Sequence, residues 1–438
     1  MGRRRINPPL NVYLNGRFVG KLNRKTSGAI DFKYDSSWLD WSNSMAISFS
    51  LPLREEPYVG ESVMAVFENL LPDNDAIRRR MVENIHAGGI DAFSLLSAIG
   101  RDCVGALQFL PEGVDPGLPG VVSGKPIDDS EVASILGNLA SSPLGLSEGD
   151  DFRISLAGAQ EKTALLLLQG RWNKPLGSTA TTHILKPQIG QLPNGIDLSE
   201  SVENEFLCLK LTKELGLPSA EVEMVSFGGH NVLVVTRFDR KWTTDNRLLR
   251  LPQEDCCQAL GVLPTRKYES DHGPGIKDLL SLLKASDKPE DDQKILLKTM
   301  IVFWLIGATD GHAKNFSIHL KLGGGFRLTP LYDVISAQPS VDRGQIQRNK
   351  MKLAMAVGHN RHYGVSTIMP RHFIETAEMA SIDKSLVEKS FEDILSKADE
   401  AIENVNAILP EGFPANIVRS IFEGFEKRLK VLSQSFPR

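Results

Sequence analysis

The chain has 438 residues, 41% of them apolar and 24% charged, with 50 Lys and Arg against 54 Asp and Glu for a formal net charge of −4. That length and mixture predict two or three globular domains and exclude a disordered chain, a collagen-like fibre and a disulfide scaffold. The charge balance provides no whole-chain attraction to nucleic acid and leaves only local basic patches as candidates.

Along the chain, the opening Met1 to Arg5 is basic but no apolar stretch follows, so it does not read as a signal peptide. Ile6 stands where a myristoylation signal needs Ser or Thr. Residues 12–14, Asn15-Gly16 and 17–19 read as strand, two-residue turn and strand. Alternation predicts further strands over 29–34 and 47–51. Helical periodicity takes over at 62–71, 75–85 and 91–99, with a strand at 104–110. The Pro- and Gly-rich stretch 111–126 reads as a surface connection. Strands follow at 163–168 and 182–186, then a helix over 201–215 that Gly216 and Pro218 end. Strands at 221–225 and 231–237 flank Gly228-Gly229. Beyond Pro252 the pattern is mostly helical, interrupted by a hairpin of 316–320 and 326–328 around Gly323 to Gly325. The fold class is α+β, with expected segments 1–125 (β-rich), 126–252 and 253–438 (helical). The longest apolar run near the middle, 300–308, is too short to span a bilayer. Cys103, Cys208, Cys256 and Cys257 form no C-x-x-C pair, so they suggest a reducing cytoplasm and no zinc site.

Chemistry concentrates at 305–315, where an apolar helix runs into Asp310-Gly311-His312-Ala313-Lys314-Asn315. A second acid, Asp333, follows beyond the hairpin. Asp, then Asn five positions on, then another Asp is the order of a kinase catalytic loop: the first carboxylate takes the proton of the attacking hydroxyl, and the Asn and second Asp hold magnesium. Alone, the spacing is common and reads more readily as a polar turn at a helix end. Ser155 to Lys162 adds a loop of small residues whose backbone N–H groups could approach a polyphosphate, or form any tight turn. Lys186 lies in an apolar strand, where an anion would offset its burial or the side chain would snorkel. Glu203 and Glu205 on the next helix are candidate partners for it. Four weak signals in the order a kinase needs make coincidence the poorer account.

Longer strings then carry a resemblance. FSLPL (49–53), ENLLPD (68–73), IGRD (99–102), DFRISLAGAQEKTAL (151–165), RFDR (237–240), LRLPQED (249–255), KYES (267–270) and WLIGATDGHAKNFS (304–317) resemble the HipA-type serine/threonine kinase toxins of toxin–antitoxin pairs. The resemblance covers nearly the whole chain. It implies a bilobal kinase-like core carrying an extra N-terminal subdomain, and an ATP- and Mg-dependent protein kinase whose action on a translation-related protein leads to growth arrest or persistence. By position it makes Asp310 catalytic and gives the metal to Asn315 and Asp333. ATP-binding positions would be Ala157, Gly158, Ala159, Gln160, Glu161, Lys162, Lys186, Thr236, Arg237, Phe238, Gln253, His312, Ala313, Lys314, Asn315, Tyr332, Asp333, Val334 and Ile335. Thr236 stands where the family pattern has Glu, which keeps a backbone bond to adenine and drops a side-chain one. Ser155 matches the serine that family members phosphorylate on themselves.

Implied partners are a dimeric helix-turn-helix antitoxin, operator DNA reached mainly through it, a protein substrate of the aminoacyl-tRNA synthetase kind, and no membrane. The basic candidates are Arg361-His362 with Arg371-His372, and the triplet Arg78-Arg79-Arg80; such runs are usually solvated faces. Glu375 and Glu378 replace basic residues of the family pattern. Two other readings stay open: a phosphotransferase acting on a small molecule or lipid, and an idle binding module, against which the intact Asp310, Asn315, Asp333 and Lys186 argue.

Overall fold

The computed structural model describes residues 8–146 and 151–436. The basic opening read above therefore lies outside the described residues. The chain divides into two compact units, neither continuous in sequence: 1–187 with 226–265 and 318–326, and 188–225 with 266–317 and 327–438. The cuts expected at 125 and 252 both fall inside the first unit.

The first unit begins with a sheet in the order Tyr58–Val59, Ile30–Tyr34, Arg17–Arg24, Leu10–Leu14, Leu107–Pro111. Asn15 and Gly16 both have positive φ, as the two-residue turn requires. Helices Glu61–Glu68, Asp75–Ile85 and Ala92–Ile99 follow, the last two capped by the side chains of Asn74 and Asp91. The expected strand at 47–51 is not formed. Ser48 and Leu51 make a single bridge around a turn, because Ser48 Oγ takes the N–H of Ser50 and Glu254 takes that of Phe49. A second, antiparallel sheet runs Gly124–Pro126, Arg171–Pro175, Thr163–Leu168, His183–Pro187, His230–Thr236. One apolar core joins both parts: Val12, Phe32, Phe67 and Phe109 belong to the same cluster as Phe152, Ile154, Leu156 and Ala164.

The second unit is built around helix Pro289–Ile306, whose residues 296–306 are all buried. Pro289 at its first turn with Glu290 to Asp292 suits the positive helix start. Gly307 ends it at φ +71, a left-handed conformation that glycine adopts without strain. Ser201–Glu214, Pro370–Met379, Ser385–Ile408 and Ala415–Ser435 are the other long helices. The sequence reading missed a pair of strands here, Lys352–Val357 and His362–Gly364. Five consecutive buried residues from Leu353 to Val357 lack the alternation that would mark a strand. No helix of the described residues is long and apolar enough to cross a membrane. All four cysteines are buried.

Candidate functional site

In the first unit, residues 155–162 form an irregular loop before strand Thr163–Leu168. Ser155 is fully buried; its Oγ donates to the Leu70 carbonyl at 2.8 Å and its N–H to the Asp102 carbonyl at 2.9 Å. Gly158 has φ +103, and an added Cβ would sit 2.7 Å from Lys162 Nζ. That ammonium donates to the Ala157 carbonyl at 2.7 Å, so the loop folds back on its own cation. Gln160 donates to the Pro187 carbonyl at 3.0 Å, tying the loop to the strand of Lys186. Lys186 itself is buried, 6% exposed, opposite Leu233 in the ladder. A cation inside a strand, with the small-residue loop tied to the end of that strand through Gln160, suits a polyphosphate.

Thr236 ends strand His230–Thr236 with its side chain exposed, and Phe238 packs edge-on against His319 at 5.6 Å. Gln253 Oε1 is buried without a hydrogen-bond partner among the described residues, as an atom reserved for a ligand would be. Arg237 differs from its neighbours Thr236 and Phe238. Its guanidinium is consumed by Asp239, Thr181, the Cys103 carbonyl and, at 3.5 Å, Asp102. Arg240 and Arg250 also bond Asp102, each at 2.9 Å. Burial alone would push the Asp102 carboxyl up, yet the Arg240, Arg250 and Arg237 guanidiniums outweigh it and hold the group well below the usual carboxylate range.

In the second unit, the helix stop at Gly307 releases the chain into an irregular turn carrying Asp310, which is exposed. Tyr268 Oη donates to Asp310 Oδ1 at 2.6 Å and fixes the carboxylate from outside the loop. The string KYES does not announce this partnership, because nothing in sequence joins residues 42 positions apart. Asn315 Nδ2 donates to the Asp310 backbone carbonyl at 2.7 Å. That bond occupies the amide nitrogen and leaves Oδ1 as the oxygen a cation could use. Asp333 has φ +61, an uncommon conformation outside glycine that acids tolerate better than most residues. Tyr332 Oη bonds Ser317 Oγ at 2.6 Å and donates to the Lys314 carbonyl at 3.0 Å, locking the segment of Asp333 to that of Asn315. Ala313 and Val334 are core residues, Lys314 is buried, and Ile335 is half-buried. His312 is buried with its ring edge-on to Tyr268 at 4.8 Å. Burial pushes its imidazole below the ordinary value against the opposing pull of Asp310. Its Nδ1 has no partner among the described residues. Glu203 and Glu205 are both buried on helix Ser201–Glu214, and Glu203 accepts from Gln188 at 2.7 Å. Hard oxygen donors from Asn315 and Asp333 fit Mg²⁺, which usually takes one or two carboxylates and completes its shell with phosphate and water.

Comparison with known proteins fits both halves. Residues 154–403 match the HipA-like C-terminal domain model, and residues 10–110 match the HipA N-terminal domain model. The chain belongs to the HipA family. It is 36% identical over 400 residues to Y4mE of Sinorhizobium fredii, a protein named as a candidate kinase, covering 90% of this chain and 91% of that one. It is 27% identical over 414 residues to the serine/threonine-protein kinase toxin HipA of Shewanella oneidensis, covering 92% and 90%. A solved Shewanella oneidensis complex of HipA, HipB and operator DNA contains a chain with the same fold, at TM-score 0.79 and 25% identity over 97% of both chains. The α+β class read from the sequence is that of this HipA fold.

Proposed function

We propose that this HipA-family chain is an ATP- and Mg-dependent serine/threonine protein kinase, the toxin half of a toxin–antitoxin pair. The observation that carries the reading is the Asp310 carboxylate, exposed yet fixed by Tyr268, with Asn315 tied to the same turn. Lys186 and the 157–162 loop hold the nucleotide phosphates, and backbone groups near Thr236, with Gln253, hold the base. Asn315 and Asp333 hold Mg²⁺, which when bound neutralises charge on the phosphates. Asp310 accepts the acceptor hydroxyl's proton as its oxygen bonds the γ-phosphorus and the bond from that phosphorus to the β,γ-bridging oxygen breaks. Positioning and charge neutralisation thus supply most of the acceleration.

Ser155 is the self-phosphorylation site in this reading. Its hydroxyl is buried and bonded, so the loop must leave its seat before reaction, and a phosphate there carries nearly two charges that oppose return. The outside acceptor belongs to the translation machinery, and a helix-turn-helix antitoxin carries most of the DNA binding. The test is incubation with ATP and Mg²⁺, then with a cell lysate, followed by mass spectrometry. A phosphate gained on protein Ser or Thr is expected, and Asp310→Asn should lower the rate by two orders of magnitude or more with its melting temperature retained. Near-wild-type turnover in a folded Asp310→Asn variant would remove the assignment. Phosphate found only on small molecules or lipid would point to that phosphotransferase class instead.

A further inference from the structure

Helix Asp75–Ile85 carries the triplet Arg78-Arg79-Arg80, which sequence reads as a solvated basic face. The structure separates the three. Arg79 is exposed, whereas Arg78 is buried at 7%. Arg78 Nε donates to the Pro72 carbonyl at 2.6 Å, Nη1 to the Glu68 carboxylate at 2.6 Å and the Ile90 carbonyl at 3.3 Å, and Nη2 to the Glu68 carbonyl at 3.4 Å. Arg80 is half-buried, with Nη1 and Nη2 each 3.4 Å from Glu161 Oε1, and it also donates to the Ala140 carbonyl.

What Arg78 holds is the irregular turn after helix Glu61–Glu68, and that turn receives the phosphate loop. Leu70 offers the carbonyl that takes the Ser155 hydroxyl, Asp73 N–H donates to the Gly158 carbonyl at 3.2 Å, and Pro72 bridges Gly158. Backbone groups accept and donate only where the backbone is fixed. Outside regular helix or strand, the guanidinium fork supplies that fixation.

We propose that Arg78 is a positioning residue for the phosphate loop: by locking the 68–73 turn it sets how often Ser155 leaves its buried seat, and Arg80 adds a second brace through Glu161. The role of Ser155 as acceptor rests on the kinase reading; the brace itself does not. Lysine at position 78 keeps the charge but replaces the fork with one compact donor, so the turn loosens and the loop opens more often.

The test is hydrogen–deuterium exchange on the full chain without nucleotide, comparing wild type with Arg78→Lys, Arg80→Gln and the exposed control Arg79→Lys. Exchange over 151–162 should rise roughly tenfold or more in Arg78→Lys, by less in Arg80→Gln, and not at all in Arg79→Lys. Strands Leu10–Leu14 and Arg17–Arg24 should keep their protection. Unchanged exchange over 151–162 in Arg78→Lys, or an equal rise through those strands, would overturn the brace. Should Arg78→Lys fail to fold, Glu68→Gln weakens the same contact with little change in volume and is judged by the same criteria. Self-phosphorylation at saturating ATP, measured in parallel, should be several-fold faster in Arg78→Lys. Its absence from the wild type would count against the kinase reading and leave the exchange result standing.

Discussion

Tyr268 makes a sharp residue-scale test, because its hydroxyl touches the proposed catalytic carboxylate and its ring packs on His312. Tyr268→Phe keeps the ring and removes the bond to Asp310. A hydrogen bond to a charged group is worth about 1.5–3 kcal/mol, so phosphoryl transfer should slow by roughly ten- to a hundred-fold. The KM for ATP and the melting temperature should stay near wild type, since the bond is exposed. An unchanged rate would show that Asp310 needs no orienting partner. Ser155→Ala addresses regulation. Alanine suits a buried position, and losing one hydroxyl bond to the Leu70 carbonyl should cost about 1 kcal/mol. Intact-mass measurement should find no added phosphate on the variant after incubation with ATP and Mg²⁺. A phosphate that persists and maps elsewhere would move the site.

At the scale of elements, strand Gln253–Asp255 carries an acid in an unusual state. Glu254 is buried, accepts the Phe49 N–H at 2.7 Å through Oε1, and leaves Oε2 without a partner among the described residues. Burial raises its carboxyl from the ordinary 4.5 to about 8, despite that bond. Between those values the folded chain keeps a proton that the unfolded chain has released. The folded state therefore binds more protons, and this group's contribution to stability falls as pH rises from 4.5 through 8. Denaturant midpoints at pH 5, 6.5 and 8 should decline in the wild type, and Glu254→Gln should flatten the decline. An identical slope in the variant would place the titration elsewhere. These elements also show how far sequence reading reaches. Helix Asp75–Ile85 and strand Thr163–Leu168 have the bounds that the sequence pattern predicts, because helical periodicity and a short apolar run are local signals. The turn that holds Asp310 and Asn315 was readable as a polar cluster because the two lie five residues apart in one loop. Tyr268 on Asp310, Arg237 on Asp102 and Arg78 on Pro72 were not readable. Each depends on which distant backbone a side chain meets, and residue type leaves that open.

For the whole molecule, the question is whether residues 1–125 are an accessory or part of the first unit's own core. The cluster that begins at Leu10 and Val12 continues through Phe109 to Phe152, Leu156 and Ala164 without a break. Asp102 lies on one side of the expected cut and Arg237, Arg240 and Arg250 on the other, all buried. Removing 1–125 strips three buried guanidiniums of a carboxylate, leaving Asp239 as the remaining acid of Arg237 and Arg240. Breaking one buried pair in this way typically costs about 3–5 kcal/mol, before any apolar surface is exposed. Marginally stable domains hold only ~5–15 kcal/mol in total. A chain of residues 126–438 should therefore fail to fold its part of the first unit. Amides of strands Thr163–Leu168 and His230–Thr236 should exchange at near-unfolded rates in it. Asp102→Asn in the full chain should give a milder version, with a lowered melting temperature. If those two strands stayed as protected in the shortened chain as in the full one, the shared core would be dispensable and residues 1–125 an independent domain.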